Sequence, residues 1–352
     1  MDREIILEKH ENGILRHAIR QFNLNAEDLT KFDAFEGCAN LVYACSQQNH
    51  PVILRVSFRQ DRTYNQIKAE LNFINFLSEN GLRAARPIYS CDAKLIEEYL
   101  IDESPVYLVC FDKGRGMRVP DNGYRYRADA PIEEYFQNWG KVLGQMHRFS
   151  KSYIPESNQI RRPDWFNLHA QQLDIDTIIP AELQLVRDRV RSLLNDIGRL
   201  PKDHHGYGLL HGDFNDGNFT VDYSNGDITV FDFDDCCYFW FVYELASAWE
   251  GGIGRIMFKG LEDRRSFMEY YMDKVLKGYF SENELSADWI EKIPLFIRLI
   301  QVEEFLYYVQ YFHDPDEQIQ AHLRYMIKCI EKNLPYMGFF DPIYSPERPF
   351  LL

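Results

Sequence analysis

The 352-residue chain has no long apolar run: the longest, CCYFWFVY at 236–243, spans eight residues, against roughly twenty for a bilayer-crossing helix. It reads as buried core, which removes a membrane partner from the expectations. The opening stretch, MDREIILEKHENGILRHAIRQF, carries acids throughout and lacks the apolar centre of a signal peptide. Positive charge is also short. With 39 Lys and Arg against 54 Asp and Glu, the net charge is -15, which argues against a nucleic-acid binder, since a phosphate backbone rewards a basic face. Cysteine is sparse and odd in number, seven in all without regular spacing, a pattern of reduced thiols in a cytoplasmic protein rather than a disulfide framework. Cys236 and Cys237 are adjacent, without the two-residue separation of structural zinc sites, although His204, His205 and His211 stand near them in sequence. Glycine is scarce where nucleotide motifs would need it. Gly114-Arg115-Gly116 lacks the third glycine of a dinucleotide fingerprint, and no GxxxxGK loop occurs. Repeats and low-complexity segments are absent as well.

What is present is concentrated in residues 211–235, HGDFNDGNFTVDYSNGDITVFDFDD. Phe219 opens FTVDY, which alternates apolar and polar as a half-buried strand does. Ser224-Asn225-Gly226-Asp227 then turns the chain, Asn-Gly accepting positive φ at both central positions of a tight hairpin, and ITVF returns towards Asp232. Asn218 and Asp232 are nearly equidistant from the turn, so pairing would set two hard oxygen ligands side by side, as a magnesium ion requires. Asp213, five residues before Asn218, would be free to address an incoming hydroxyl. That is the division of labour of phosphoryl transfer.

His211-Gly212-Asp213 with Asn218, followed by Asp232, resembles the catalytic loop and metal-binding Asp of the aminoglycoside phosphotransferase and choline kinase family, relatives of the protein kinases. The resemblance implies Asp213 as catalytic base, Asn218 and Asp232 as magnesium ligands, His211 as a buried brace, and ATP or GTP as phosphoryl donor.

The remaining sequence supplies a frame for that loop. At 352 residues the chain exceeds the usual single-core limit of about 250–300 residues, so two domains are expected. Residues 4–21 read as an amphipathic helix and 32–58 as strands. FEGCANLVYAC, 35–45, occupies the place where the related kinases cover the nucleotide. It holds only Gly37, so close backbone approach to phosphates would fall to Ala39 and Asn40. In Val52-Ile53-Leu54-Arg55-Val56 a cation stands in an apolar strand and needs a buried partner. Glu70 is the candidate, on a helix from Tyr64 to Glu79 whose Ile67, Leu71, Ile74 and Leu77 share one face and which Asn80-Gly81 stops. The family places a Lys where this chain has Arg55, with a helical Glu as its partner; by resemblance Arg55 and Glu70 position the triphosphate. Residues 94–100 and 105–111 read as strands. The stretch from Val106 through Gly114 resembles the hinge between lobes, with backbone near Cys110 and Phe111 holding the adenine edge.

Pro131 begins a helix with an apolar stripe of Ile132, Tyr135, Trp139, Val142, Leu143 and Met146. His147 at its end reads as a structural hydrogen-bonding residue. A helix over 181–197 precedes the acidic loop, and helices near 240–250, 262–280, 288–312 and 316–333 follow it. The fold expected is α+β and bilobal, kinase-like, with a small antiparallel sheet lobe over 1–112 and a larger, mainly helical lobe over 113–352. The acceptor implied is a small molecule bearing a hydroxyl, with overall acidity favouring a cationic one. Asp234, Asp235, Glu244, Glu250, Glu303, Glu304, Tyr307 and Tyr308 lie on segments that the family uses around its acceptor. Homoserine kinases and the bacterial stress-response kinases that phosphorylate proteins share these features, and a non-catalytic nucleotide-binding module fits Arg55 and the glycine-poor cover. The sequence leaves these alternatives open.

Overall fold

A computed structural model of the chain describes residues 3–32, 40–57, 62–251, 261–312 and 315–334, the side chains of 3–8, 250, 251 and 261–265 excepted. Gly37, Ala39 and the Glu250 side chain lie outside that description. The secondary structure is α+β, and the chain divides into two units. The first comprises 1–115, 153–162 and 229–234, the second 116–152, 163–228 and 235–352.

The first unit is built on an antiparallel sheet of β1 (Thr30–Lys31), β2 (Asn40–Gln47), β3 (His50–Ser57), β4 (Pro87–Ile88), β5 (Glu97–Ile101) and β6 (Ser104–Asp112). The order is β1-β2-β3-β6-β4, with β5 also paired to β6. Strand alternation assigns the faces of β3. Val52, Leu54 and Val56 join Ile14, Ala18 and Phe22 of helix α1 (Arg3–Phe22) in one apolar cluster, which leaves Arg55 on the opposite face. There α2 (Tyr64–Glu79) buries Ile67, Leu71, Ile74 and Leu77. Thr63 caps α2 reciprocally with Gln66, and Gly81 at φ +102 ends it.

The second unit gathers around α3 (Ile132–Ser150), with α4 (Gln184–Gly198), α5 (Phe241–Gly251), α6 (Leu261–Phe280), α7 (Ile293–Tyr311) and α8 (Glu317–Lys332). Helices α3 and α6 approach closely because glycines face backbone at their crossing. A Cβ on Gly140 would lie 1.8 Å from the Val275 carbonyl oxygen, and one on Gly278 2.0 Å from that of Gln137. Strands β7 (Tyr207–Leu210) and β10 (Cys237–Trp240) pair antiparallel, Leu210 opposite Cys237, and so fix where His211 begins. The apolar stretch 236–243 is buried in full. Strands β8 (Phe219–Asp222) and β9 (Asp227–Val230) form a two-stranded ribbon.

The turn of that ribbon corrects one expectation. Four residues, not two, connect the strands, and only Gly226 takes positive φ, at +80. Asp222 accounts for the difference: its carbonyl accepts the Asn225 and Gly226 N–H groups, while its Oδ1 accepts from the Ser224 backbone and hydroxyl. Among the described residues no helix is long and apolar enough to cross a membrane. The six described cysteines are free thiols, and no cluster of three or more His, Cys, Asp or Glu suited to a metal occurs among the described residues.

Candidate active site

The loop leaving β7 is fixed from below by aromatic side chains. Phe214 and Phe219, each directly following a residue of chemical interest, lie with ring centroids 6.0 Å from that of Trp139 on α3. His211 is buried, and its Nδ1 accepts the Asp213 N–H at 3.3 Å, which suits a brace. Gly212 has φ +91, and a Cβ there would meet the Asp235 carbonyl oxygen at 2.2 Å, so only glycine fits this bend.

Asp213 is held at both carboxylate oxygens. Asn215 Nδ2 donates to Oδ1 at 2.8 Å, and Asn218 Nδ2 donates to Oδ2 at 2.7 Å and to the Asp213 carbonyl at 2.8 Å. These donations fix the amide orientation of Asn218: with its NH₂ spent on Asp213, Oδ1 faces the other way and accepts no hydrogen bond among the described residues. Asp213 is exposed. Desolvation pushes its carboxyl up from the usual range and the Asp235 charge adds to this, while His211 and the bonds from Asn215 and Asn218 pull it down.

In the first unit, Arg55 and Glu70 form the pair expected from a buried cation in an apolar strand. Nη1 meets Oε1 at 2.7 Å and Nη2 meets Oε2 at 2.8 Å, a two-pronged bond from β3 to α2. Burial acts to lower the Arg55 pKa, but Glu70 outweighs it and the guanidinium is held above its ordinary value. Its third donor, Nε–H, is buried with no partner, and its carbon lies 5.1 Å from the Phe111 ring centroid. Cys110 and Phe111 sit on β6 with strands on both sides, opposite Leu54 and Ile53 of β3 and opposite Ile88 and Pro87 of β4. The neighbouring Asp112 and Lys113 N–H groups go to the Arg86 and Pro51 carbonyls. Asn40 uses its side chain inside this unit, accepting from Ser57 Oγ at 2.8 Å and donating to Asp234 at 3.4 Å. Asp232 has φ +62, a left-handed conformation uncommon outside glycine and concentrated at functional sites.

Several acidic residues expected around an acceptor make contacts inside their own unit. Asp234 is 5 % exposed and faces Asn40 and Arg62, and its carbonyl accepts from Arg162. Glu244 is 2 % exposed beneath the loop that follows β7, where Oε1 accepts the Gly212 N–H at 2.8 Å and Oε2 meets His147 at 2.7 Å. Its setting was readable: FVYELASAW carries one acid among apolar residues, so that acid is buried and needs partners by the argument that paired Arg55. Glu303 and Glu304 are half-buried, Glu303 accepting from the Tyr243 hydroxyl at 3.2 Å and Glu304 lying 3.5 Å from His322. Tyr307 is 51 % exposed. Sequence reasoning passed over Asn215 and the buried Asp216, whose neighbours in space are aromatic residues remote in the chain.

Residues 33–276 match the family described as "Phosphotransferase enzyme family". Amicoumacin kinase of Bacillus subtilis (strain 168) is 30 % identical over 294 residues, which cover 82 % of each chain. Among solved structures, amicoumacin kinase hAmiN in complex with AMP-PNP, Ca2+ and Ami superposes with TM-score 0.84 at 28 % identity, covering 96 % of this chain and 98 % of the other. The microcompartment-associated aminopropanol kinase, at 19 % identity, shares the fold with TM-score 0.70 over 91 % of this chain and 95 % of its own. The chain belongs to the phosphotransferase enzyme family.

Proposed function

We propose that this chain is a magnesium-dependent kinase that moves the γ-phosphoryl of ATP, or of GTP, to a hydroxyl of a small molecule carrying an amine. Residues 1–112 would serve as the nucleotide lobe and 113–352 as the catalytic and acceptor lobe. The observation that carries the reading is the double hold on Asp213. Each carboxylate oxygen takes one amide N–H, which fixes the carboxylate plane and leaves lone pairs for an acceptor O–H. Asp213 accepts the proton of that hydroxyl as the oxygen attacks phosphorus, and its raised pKa makes it a better base than an ordinary carboxylate.

The residues present fit a divalent cation. Asn218 would offer Oδ1, which its own NH₂ contacts have turned away from Asp213, and Asp232 would be a second hard oxygen ligand of the kind magnesium takes. The bound ion would neutralise charge on the triphosphate. The unpartnered Nε–H of Arg55 is a donor suited to a phosphate oxygen, while Glu70 keeps the guanidinium from turning away. The backbone at Ala39 and Asn40 would cover the phosphates, and that at Cys110 and Phe111 would flank the adenine. The amine on the acceptor is supported by the relatives, one named for aminopropanol, and by a net charge of -15, which steers cations inward.

The test is a panel of hydroxyl acceptors, amino alcohols and aminoglycosides among them, incubated with labelled ATP or GTP with and without magnesium. Label should move to a small-molecule acceptor only when both acceptor and metal are supplied. Transfer to protein bands with indifference to free alcohols would replace this reading with a protein kinase. Nucleotide-dependent thermal stabilisation without any transfer would replace it with a binding module.

A further inference from the structure

One stretch of the first unit, 153–162, comes from far along the chain. It begins just after α3 ends at Ser150, runs along α2, and leaves for the second unit at Pro163. Helix α2 carries Glu70, and the stretch meets it at three levels. The Tyr153 ring lies with its centroid 5.0 Å from that of Phe73 and 5.1 Å from that of Phe76. Glu156 accepts from Lys68 Nζ at 2.8 Å and from Asn72 Nδ2 at 2.9 Å, two residues one turn apart on the same helix face. Arg162 is 2 % exposed; its Nη1 donates to the Gln66 carbonyl at 3.4 Å and its Nη2 to the Asp234 carbonyl at 2.5 Å.

The Arg162 fork is the contact that bears on chemistry. Gln66 stands one helical turn before Glu70, so its carbonyl is also the acceptor for the Glu70 N–H in the α-helical ladder, and its second lone pair faces Arg162. Asp234 stands two residues after Asp232, and its side chain is held too, by Asn40 Nδ2 at 3.4 Å and Arg62 Nε at 3.5 Å. One guanidinium therefore touches both the turn that sets Glu70 and the backbone that leads out of Asp232.

Two features separate this from ordinary core packing. Asp232 has φ +62, and a non-glycine residue in that region is strained and persists only where its surroundings over-determine it. A fixed Asp234 carbonyl is such a restraint. Burying a cation is costly, and the planar fork of Arg reaches two acceptors at once where an ammonium is a point charge. Arg162 is itself restrained, because the proline that follows confines its backbone to extended conformations.

We infer that Arg162 is a positioning residue for the nucleotide and its metal: it ties the helix bearing Glu70 to the segment bearing Asp232, and residues 153–162 are the clasp that delivers it. This rests on the roles proposed above for Arg55, Glu70 and Asp232. Through Glu70 the tie reaches Arg55, so the phosphate contact and the metal ligand keep one spacing.

The experiment is a double-mutant cycle with Arg162→Lys and Asp232→Asn in the full chain, read by calorimetric binding of a non-hydrolysable ATP analogue with and without magnesium, with melting temperatures to establish folding. Lys keeps the charge but loses the fork. Arg162→Lys alone should weaken binding of the analogue with magnesium on the order of tenfold, through one charge-assisted bond lost and the strained Asp232 released. In the Asp232→Asn background the same change should cost less than about threefold, the remainder passing through Glu70, since groups acting as a unit are non-additive. An equal factor in both backgrounds, or wild-type affinity in Arg162→Lys, overturns the inference and leaves Arg162 a core residue. If Asp232→Asn itself binds magnesium and the analogue as wild type does, the reading of Asp232 as a metal ligand has failed, and the inference falls with it. Should Arg162→Lys fail to fold, Tyr153→Leu loosens the clasp at its other end while keeping Arg162: a severalfold loss of magnesium-dependent affinity that vanishes in Asp232→Asn supports the inference, and a lowered melting temperature with unchanged affinity overturns it.

Discussion

Asp216 lies between the proposed base and the proposed metal ligand, yet it faces the core. It is 6 % exposed and accepts a hydrogen bond from the Tyr135 hydroxyl. Burial lifts its pKa to about 7, against the lowering effect of Tyr135. The folded value stands above the unfolded one of 3.8, so the folded state holds its proton more tightly. The stability this group contributes is therefore complete below about pH 4, declines as the pH climbs, and is gone above about pH 7. The gap corresponds to on the order of 4 kcal/mol. Replacing Asp216 by Asn keeps an acceptor for Tyr135 and removes the titration. Urea unfolding of both proteins between pH 4 and 8 should show the wild type losing stability relative to Asp216→Asn across that interval, and parallel curves would refute the assignment. Arg55 and Glu70 present the opposite case, a buried pair whose charges satisfy each other in two bonds. Their pairing was legible because an isolated cation in an apolar strand has few fates. Asp216 was not legible, because nothing local in DFNDGN separates a buried acid from the exposed ones beside it.

At the scale of elements, α3 organises the second unit. Its aromatic face receives Phe214 and Phe219 from the segment that follows β7, and its glycines let α6 come close enough for Tyr279 to reach His147. Gly140→Ala would drive a methyl into the Val275 carbonyl and force the helices apart, a misfit of the overpacking kind that typically costs about 1–3 kcal/mol. Denaturant unfolding should register that loss; a variant as stable as wild type would contradict this account of the crossing. Periodicity reveals the helices themselves: α2 begins and ends where the apolar spacing and its caps place it, Tyr64–Glu79. Close approach between helices depends on small residues at matched positions far apart in sequence, which no single segment discloses. The ribbon turn shows the same limit on a smaller scale, where the Asp222 side chain, rather than the Asn-Gly pair alone, decides its length.

Across the whole molecule, the sharp motif occupies about the two dozen residues 211–235, and the rest of the chain constrains them through burial. The carboxylate proposed as base and the amide proposed to offer an oxygen to a cation were legible with those roles from the spacing of His211, Asp213 and Asn218. The burial of Glu244 against the Gly212 N–H was not. Glu244 and Asp234, which a reading by helix and loop position sends to an acceptor, are consumed inside their own units. The central claim is that Asp213 acts on the acceptor and not on the nucleotide. The measurement that tests it most directly is single-turnover phosphoryl transfer by Asp213→Asn, paired with calorimetric binding of magnesium and a non-hydrolysable nucleotide. The account predicts a rate lowered by about 10²–10⁴, the span of general-base catalysis, with nucleotide affinity changed by no more than a few-fold. Transfer at the wild-type rate, or affinity lost in step with the rate, would contradict it.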